Sequence, residues 1–91
     1  MNSTFAQKVR ETVAKIPRGE VRTYSEIAKL SGNEKAARAV GNILHENHDR
    51  RIPCHRVVRS NGKIGGYNLG AAEKIRKLKS EGVKISGDAV A

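Results

Sequence analysis

The stretch from Thr23 to Leu44, TYSEIAKLSGNEKAARAVGNIL, decides the fold of this chain. Thr23 and Glu26 have the spacing of a capping box, so a short helix begins there, and Ser31-Gly32 ends it. Asn33 can cap the next helix. At helical spacing, that helix places its apolar residues on one stripe: Ala36, Ala37, Val40, Ile43 and Leu44. Two helices joined by a short glycine-containing turn predict a helix-turn-helix.

The face opposite this stripe is polar and carries Lys35, Arg38, Asn42 and His45. A solvated surface is the usual explanation for such a face. The chain, however, contains 18 Lys and Arg against 9 Asp and Glu, a net charge of +9, and this balance favours a polyanionic partner. With two tyrosines, one phenylalanine and no tryptophan, it has few rings on which single-stranded bases could stack. Recognition of a duplex fits better.

Two further helices are predicted on either side of this motif. Thr4 and Gln7 have capping-box spacing, and the helix that they begin is stopped by Pro17. Residues 71–81 carry apolar positions at helical intervals, and Gly82 is placed to end that helix.

Between the motif and the last helix, the sequence predicts a β-hairpin. Val57-Val58-Arg59 and Lys63-Ile64 read as two short strands around the loop Ser60-Asn61-Gly62. A hairpin that follows a helix-turn-helix is typical of a wing. The predicted fold class is therefore mostly α with a small β-hairpin, a winged helix-turn-helix.

Ninety-one residues form a single domain, which we expect to span residues 1–85, with residues 86–91 as a flexible C-terminal tail rich in small residues. Cys54 is the sole cysteine, so a disulfide-stapled secreted domain is excluded. The sequence has no signal-peptide pattern and no apolar run long enough to cross a bilayer. We expect a cytoplasmic protein with no membrane partner.

The most informative chemistry lies at Pro53-Cys54-His55-Arg56. Pro53 fixes the backbone where the thiol is presented, which indicates a defined bend. A neighbouring imidazole, nearby arginines and a helix start would each lower the pKa of Cys54 and favour the nucleophilic thiolate. The alternative is a small buried cysteine, the commonest state of a free thiol.

A zinc site is a second alternative, because His45, His48, Cys54 and His55 offer four potential ligands within eleven residues. Structural zinc sites favour paired ligands with a turn between them, whereas Cys54 and His55 are contiguous. We therefore predict no metal and no cofactor.

Taken together, these segments resemble the O6-alkylguanine-DNA alkyltransferase family. The resemblance extends from about Phe5 to Val83, and its most specific part is the Pro-Cys-His-Arg block after a helix-turn-helix. It points to the C-terminal DNA-binding and catalytic domain of that family, a winged helix-turn-helix. The matching segments are Thr23 to Ala28, Gly32-Asn33, Lys35 to Gly41, Asn47, and Pro53 to Val58.

The resemblance implies a role for each catalytic residue. Cys54 is the acceptor thiol, His55 is its water-bridged base, and Glu81 orients the histidine. Asn47 braces the helix-turn-helix against the active-site segment, and Tyr24 turns the target phosphate and donates a proton to the flipped base. The implied reaction moves the alkyl group of O6-alkylguanine irreversibly to Cys54, once per protein molecule.

It also implies a DNA interface. Arg38 enters the duplex and fills the space of the extruded base, which must leave the stack because a duplex hides its O6 atom. The other DNA-binding residues are Lys35, Ala37, Asn42 and Tyr24. The base pocket is lined by Tyr67, Asn68 and Val57. The expected partner is double-stranded DNA, bound through the minor groove with weak sequence preference by a monomer.

Some features depart from the family pattern. The family's usual N-terminal domain is absent from this sequence, and the polar segment His48 to Arg51 replaces a more apolar wall of the base pocket. An alternative is therefore a non-catalytic relative that binds O6-alkylguanine and recruits other repair, although such relatives lack the cysteine. A winged-helix transcription factor explains neither the Pro-Cys-His block nor Tyr24.

Overall fold

The computed structural model describes residues 4–65 and 70–91. Its helices are α1 (Phe5–Ala14), α2 (Tyr24–Leu30), α3 (Ala37–His45) and α4 (Ala71–Ser80), with a 3-10 turn at Cys54–Arg56. Its strands are β1 (Arg22–Thr23), β2 (Val57–Val58), β3 (Ile85–Ser86) and β4 (Ala89–Val90).

The first three helices pack around one apolar core. Both predicted capping boxes are confirmed: Thr4 accepts a hydrogen bond from the Gln7 amide at 3.1 Å, and Thr23 accepts one from the Glu26 amide at 3.0 Å. The helices therefore begin at fixed residues, which aims their apolar faces at one another. The core cluster consists of Val9, Val13, Ile16, Ile27, Ala28, Val40, Leu44 and Val57.

The turn between α2 and α3 is longer than the sequence predicted. Asn33 Oδ1 accepts from the Lys35 amide at 3.1 Å, and the Asn33 carbonyl accepts from the Ala36 amide at 3.1 Å. Asn33 thus closes the turn and does not cap α3, whose first residue is Ala37. The prediction of an Asn33 cap is wrong, and Lys35 lies in the turn before α3.

The strands pair differently from the predicted hairpin. β2 lies parallel to β1, with Arg22 opposite Val57 and Thr23 opposite Val58. Val57 and Val58 are both buried, so β2 needs a neighbour inside the fold, and a solvent-facing wing does not supply one. The Arg59 amide still donates to the Lys63 carbonyl at 2.9 Å, which closes the loop between them.

The hairpin of this fold lies at the C-terminal end instead, where β3 and β4 pair antiparallel. The predicted class, mostly α with a small β-hairpin, is confirmed. The hairpin is formed by β3 and β4 and not by residues 57–64. Residues 86–91 are not loose in the structure: the Ile64 amide donates to the Asp88 carbonyl at 2.8 Å, and the Val90 amide donates to the Gly62 carbonyl at 2.8 Å. This segment is held by backbone hydrogen bonds, which need no particular side chain. Its small residues therefore did not indicate that it would be ordered.

The last helix ends as predicted. Gly82 follows α4 with φ of +90°, a left-handed conformation that glycine adopts without strain. The Val83 amide then donates back to the Leu78 carbonyl at 3.0 Å. This turn fixes the position of Glu81 at the end of the helix. Among the described residues, no helix is long and apolar enough to cross a membrane.

Candidate active site

Cys54 lies at the first residue of the 3-10 turn, directly after Pro53, as the predicted bend requires. Its side chain is half-buried and forms part of the wall of two cavities, each of about 510 Å³. One cavity opens between α2 and α3 and includes Tyr24 and Arg38, and the other includes His55 and Lys77. The thiol is therefore reachable by a ligand that lies along the helix-turn-helix.

Asn47 ties the end of α3 to this thiol. Its Nδ2 donates to Cys54 Sγ at 3.1 Å and to the Asp49 carbonyl at 3.2 Å. Its own amide donates to the Leu44 carbonyl of α3 at 3.1 Å. The side chain thus links the end of α3 to the segment that contains Cys54.

The pKa of the Cys54 thiol is raised above its usual value because the side chain is buried. The hydrogen bond from Asn47 and the positive charges of Lys74 and Lys77 oppose this shift without overcoming it. The expectation that His55 and the nearby arginines would lower the pKa of Cys54 is wrong, because His55 and Arg56 turn their side chains toward Glu81. At neutral pH the thiol keeps its proton, and nucleophilic attack needs a base.

Glu81 contacts the two residues that follow Cys54. His55 Nε2 lies 3.0 Å from Glu81 Oε2, while Arg56 donates through Nε to Oε1 at 2.9 Å and through Nη2 to Oε2 at 2.7 Å. The Arg56 guanidinium, helped by His55, lowers the pKa of Glu81 to about 2. An ionised carboxylate only accepts hydrogen bonds, so His55 Nε2 must donate.

This contact fixes the state of the imidazole. Burial lowers the pKa of His55, so the ring is neutral at pH 7, and a neutral ring that donates through Nε2 has its lone pair on Nδ1. His55 is therefore in the form that can take a proton. Because its Nε2 is engaged with Glu81, the accepting atom for any proton from Cys54 is Nδ1.

The loop after α1 contacts Arg56 and the end of α4, next to Glu81. Arg56 Nη1 donates to the Ile16 carbonyl at 2.7 Å, and Arg18 Nη2 donates to the Ser80 carbonyl at 3.2 Å. Gly19, with φ of +89°, approaches so closely that a Cβ atom there would lie 3.1 Å from the Glu81 carbonyl oxygen. These contacts hold the end of α4 against the Cys54–Arg56 turn.

Lys74 is a functional candidate that the sequence analysis missed. It is fully buried, its Nζ donates to the Tyr24 hydroxyl at 3.4 Å, and the same atom lies 5.6 Å from the centroid of the tyrosine ring. Burial lowers its pKa to about 8, while the charge of an ionised Cys54 opposes that shift. A signal was available: Lys74 stands four residues before Leu78, on the buried face of α4, where a lysine needs a polar partner.

Tyr24 begins α2 and lines the same cavity as Cys54. Burial raises the pKa of its phenol, and the positive charge of Arg59 acts in the opposite direction. The hydroxyl is thus protonated at neutral pH and lies next to a buried ammonium group. Such a pair can deliver a proton to a ligand in the cavity.

The sequence profile of the family "6-O-methylguanine DNA methyltransferase, DNA binding domain" matches residues 4–83. The chain belongs to this family. A methylated-DNA–protein-cysteine methyltransferase of Methanosarcina acetivorans is 49% identical over 86% of this chain and 51% of its own length. The chain thus spans about half the length of that relative.

Two solved structures of similar proteins share the fold. A Schizosaccharomyces pombe ATL protein in complex with DNA aligns over 100% of this chain and 92% of its own, at 34% identity and a TM-score of 0.87. A Mycobacterium tuberculosis OGT in complex with DNA aligns over 90% of this chain and 51% of its own, at 40% identity and a TM-score of 0.83.

This member of the methyltransferase family brings most of its predicted interface residues to one place. The cavity between α2 and α3 is lined by residues that include Tyr24, Ala37, Arg38, Asn42 and Cys54. Lys35 is not among them, because it lies in the turn before α3, in a shallow depression beside Lys29. The depression and the cavity have Ser25 in common, so Lys35 lies close to this cavity but outside it.

The predicted base pocket is only partly described. The side chain of Val57 is fully buried in the core, so any contact with a base would come from its backbone. Tyr67 and Asn68 lie outside the described residues. Among residues 4–65 and 70–91, no three His, Cys, Asp or Glu side chains come together as a metal site.

Proposed function

We propose that this chain repairs duplex DNA by moving the alkyl group of O6-alkylguanine to Cys54, once per molecule. The observation that carries the proposal is a pair of contacts, from Asn47 to Cys54 and from Glu81 to His55, beside a cavity that Arg38 also lines. No other described cysteine could accept the group, since Cys54 is the sole cysteine of the chain.

The step is an in-line displacement at the carbon attached to O6. The thiol proton passes through one water molecule to His55 Nδ1, and the Cys54 thiolate attacks the carbon. The sulfur–carbon bond forms as the carbon–oxygen bond breaks, which leaves the electron pair on guanine. Tyr24 supplies a proton to the departing base, so the products are neutral guanine and a thioether, and the adjacent Lys74 ammonium stabilises the tyrosine as it gives up that proton.

For this reaction the target nucleotide must leave the double helix. Arg38 is exposed on α3 and lines the cavity of Cys54, so it can fill the gap in the stack while the base lies in the cavity. We infer that the partner is double-stranded DNA, approached from the minor groove by a monomer with weak sequence preference. The net charge of +9 supports contacts that depend mainly on the phosphate backbone.

A second candidate function is lesion binding without transfer. It is supported by the structure of S. pombe Atl1 in complex with damaged DNA containing O6-carboxymethylguanine, a relative 38% identical to this chain. The two candidates differ in what becomes of the lesion. Incubation with excess protein should convert O6-methylguanine in a duplex to guanine, measured by chromatography of the released bases, and Cys54→Ser should leave it intact. Tight binding with full recovery of O6-methylguanine would establish the second function and overturn the first.

A further inference from the structure

Arg59 occupies a fixed position at the end of β2, and the functions argued so far do not use it. Its amide donates to the Lys63 carbonyl at 2.9 Å, and its carbonyl accepts from the Gly62 amide at 2.9 Å, so the turn that follows is closed at both ends. The hydroxyls of Ser60 and Ser25 are hydrogen-bonded at 3.0 Å, which ties this turn to the first turn of α2. The backbone of Arg59 is therefore held beside the helix-turn-helix.

The side chain of Arg59 converges with Tyr24 over the backbone of Gly65. A Cβ atom at Gly65 would lie 3.3 Å from Arg59 Cγ, 3.5 Å from Arg59 Nε and 3.5 Å from Tyr24 Cε2. Glycine at this position lets both side chains approach closely. Arg59 also lines the cavity that contains Cys54.

The charge of Arg59 is not neutralised by this protein's own described residues. Across residues 4–65 and 70–91, the arginines paired with a carboxylate are Arg22, Arg51, Arg56 and Arg76. Arg59 is exposed and forms no such pair within those ranges. Its positive charge nevertheless reaches the cavity: burial raises the pKa of Tyr24 and lowers that of Lys74, and the charge of Arg59 opposes the first shift and adds to the second.

We propose that Arg59 binds a backbone phosphate of the DNA strand that carries the flipped nucleotide, next to Tyr24. A guanidinium group can donate hydrogen bonds to two phosphate oxygens at once. Because the backbone of Arg59 is already fixed, binding a phosphate costs little backbone conformational entropy. Arg38 is committed to the interior of the duplex, so it cannot hold that phosphate. The inference rests on the proposed function, because it assumes that the target strand enters the cavity of Cys54.

The test compares Arg59→Ala with Lys8→Ala, which removes the same charge from an exposed position of α1 outside the cavity. Repair of a duplex with O6-methylguanine should be slowed roughly tenfold in Arg59→Ala, the effect of losing one charge-assisted contact. Reaction with free O6-benzylguanine, which has no phosphate, should be slowed much less than repair of the duplex. The slope of log affinity for the duplex against log salt should become shallower by about 0.9, the value for one phosphate contact. Lys8→Ala should show none of these losses.

Equal losses on the duplex and on the free base would overturn the inference, since Arg59 would then act through Tyr24 or the thiol. A slope unchanged from wild type, or a loss no larger than that of Lys8→Ala, would overturn it as well. Arg59→Gln repeats the test with a larger side chain if the alanine variant fails to fold. If wild-type protein binds the duplex but transfers nothing, the proposed function fails, and the salt slope still decides whether Arg59 binds a phosphate.

Discussion

The carboxylate of Glu81 and the imidazole of His55 are joined by a contact of 3.0 Å between Oε2 and Nε2. The two residues are 26 positions apart, and the contact forms because the end of α4 packs against the Cys54–Arg56 turn. It keeps the proton of the neutral ring on Nε2 and the lone pair on Nδ1. The proposed base, His55, is thus in its proton-accepting form before any DNA binds.

Glu81→Gln tests that preparation. The amide has nearly the same shape but no charge, so it holds His55 and Arg56 less firmly and leaves the orientation of the ring less fixed. We expect the single-turnover rate of alkyl transfer to fall at least about tenfold, part of what a positioned base contributes. The control is Glu11→Gln, which removes a carboxylate from an exposed position of α1 that lines neither cavity of Cys54. Equal rates for Glu81→Gln and wild type would show that the contact has no part in the reaction.

The same carboxylate makes folding depend on pH. The pKa of Glu81 is 4.5 in the unfolded chain and about 2 in the folded protein. Its contribution to the free energy of unfolding is therefore complete above pH 4.5 and is lost as the pH drops from about 4.5 toward 2. At neutral pH we expect wild type to exceed Glu81→Gln by up to about 3 kcal/mol in the free energy of unfolding. Urea titrations should show this difference shrinking steadily at acid pH. A gap that stays constant down to the lowest pH would mean that the pKa of Glu81 is ordinary.

Lys74 should control the ionisation of Cys54. Because its ammonium group stabilises the thiolate, Lys74→Met, which keeps much of the buried volume, should raise the pKa of Cys54. Below about pH 8, alkylation by iodoacetamide should therefore be slower in Lys74→Met than in wild type, and the sole thiol makes the reading unambiguous. The difference should narrow above about pH 8, where Lys74 itself loses its proton. Lys79→Met, an exposed change on the same helix, should leave this rate unchanged.

Arg38 and Lys35 provide a matched pair for base flipping. Arg38 lines the cavity of Cys54, whereas Lys35 lies outside it in the preceding turn. Arg38→Ala should slow repair of duplex O6-methylguanine strongly and leave the reaction with free O6-benzylguanine unchanged, since a free base needs no extrusion. Lys35→Ala should weaken binding of the duplex only modestly, through the salt-dependent term. If Arg38→Ala slowed both reactions alike, its role would lie in the chemistry and not in flipping.

Local signals in the sequence predicted the helical part of the fold. Capping boxes at Thr4 and Thr23 and the glycine after α4 are decided by neighbouring residues, and all three appear where expected. Pairing between distant segments was not predictable in this way. β2 joins β1 across more than thirty residues, and the last six residues pair through backbone atoms that carry no sequence signal.

The candidate site also combines features that local sequence predicted with features that depend on contacts between distant segments. The block around Cys54 and His55 was visible as a motif, and the resemblance supplied Glu81 and Asn47, which the structure places in contact with it. The pKa of Cys54 could not be judged from its neighbours in sequence, because burial and the direction of side chains decide it. The spacing from Lys74 to Leu78 could predict that Lys74 is buried, but not its contact with Tyr24, because that contact joins residues 50 positions apart.

The central claim is that the alkyl group ends on Cys54, and isotope labelling tests it directly. Protein is mixed with a duplex whose O6-methylguanine carries a deuterated methyl group, and the peptide that contains Cys54 is fragmented in a mass spectrometer. We expect one labelled methyl group per protein molecule, located on the sulfur of Cys54, with no further gain when more DNA is added. Recovery of unlabelled protein beside bound and unchanged DNA, or a label on any other residue, would contradict it.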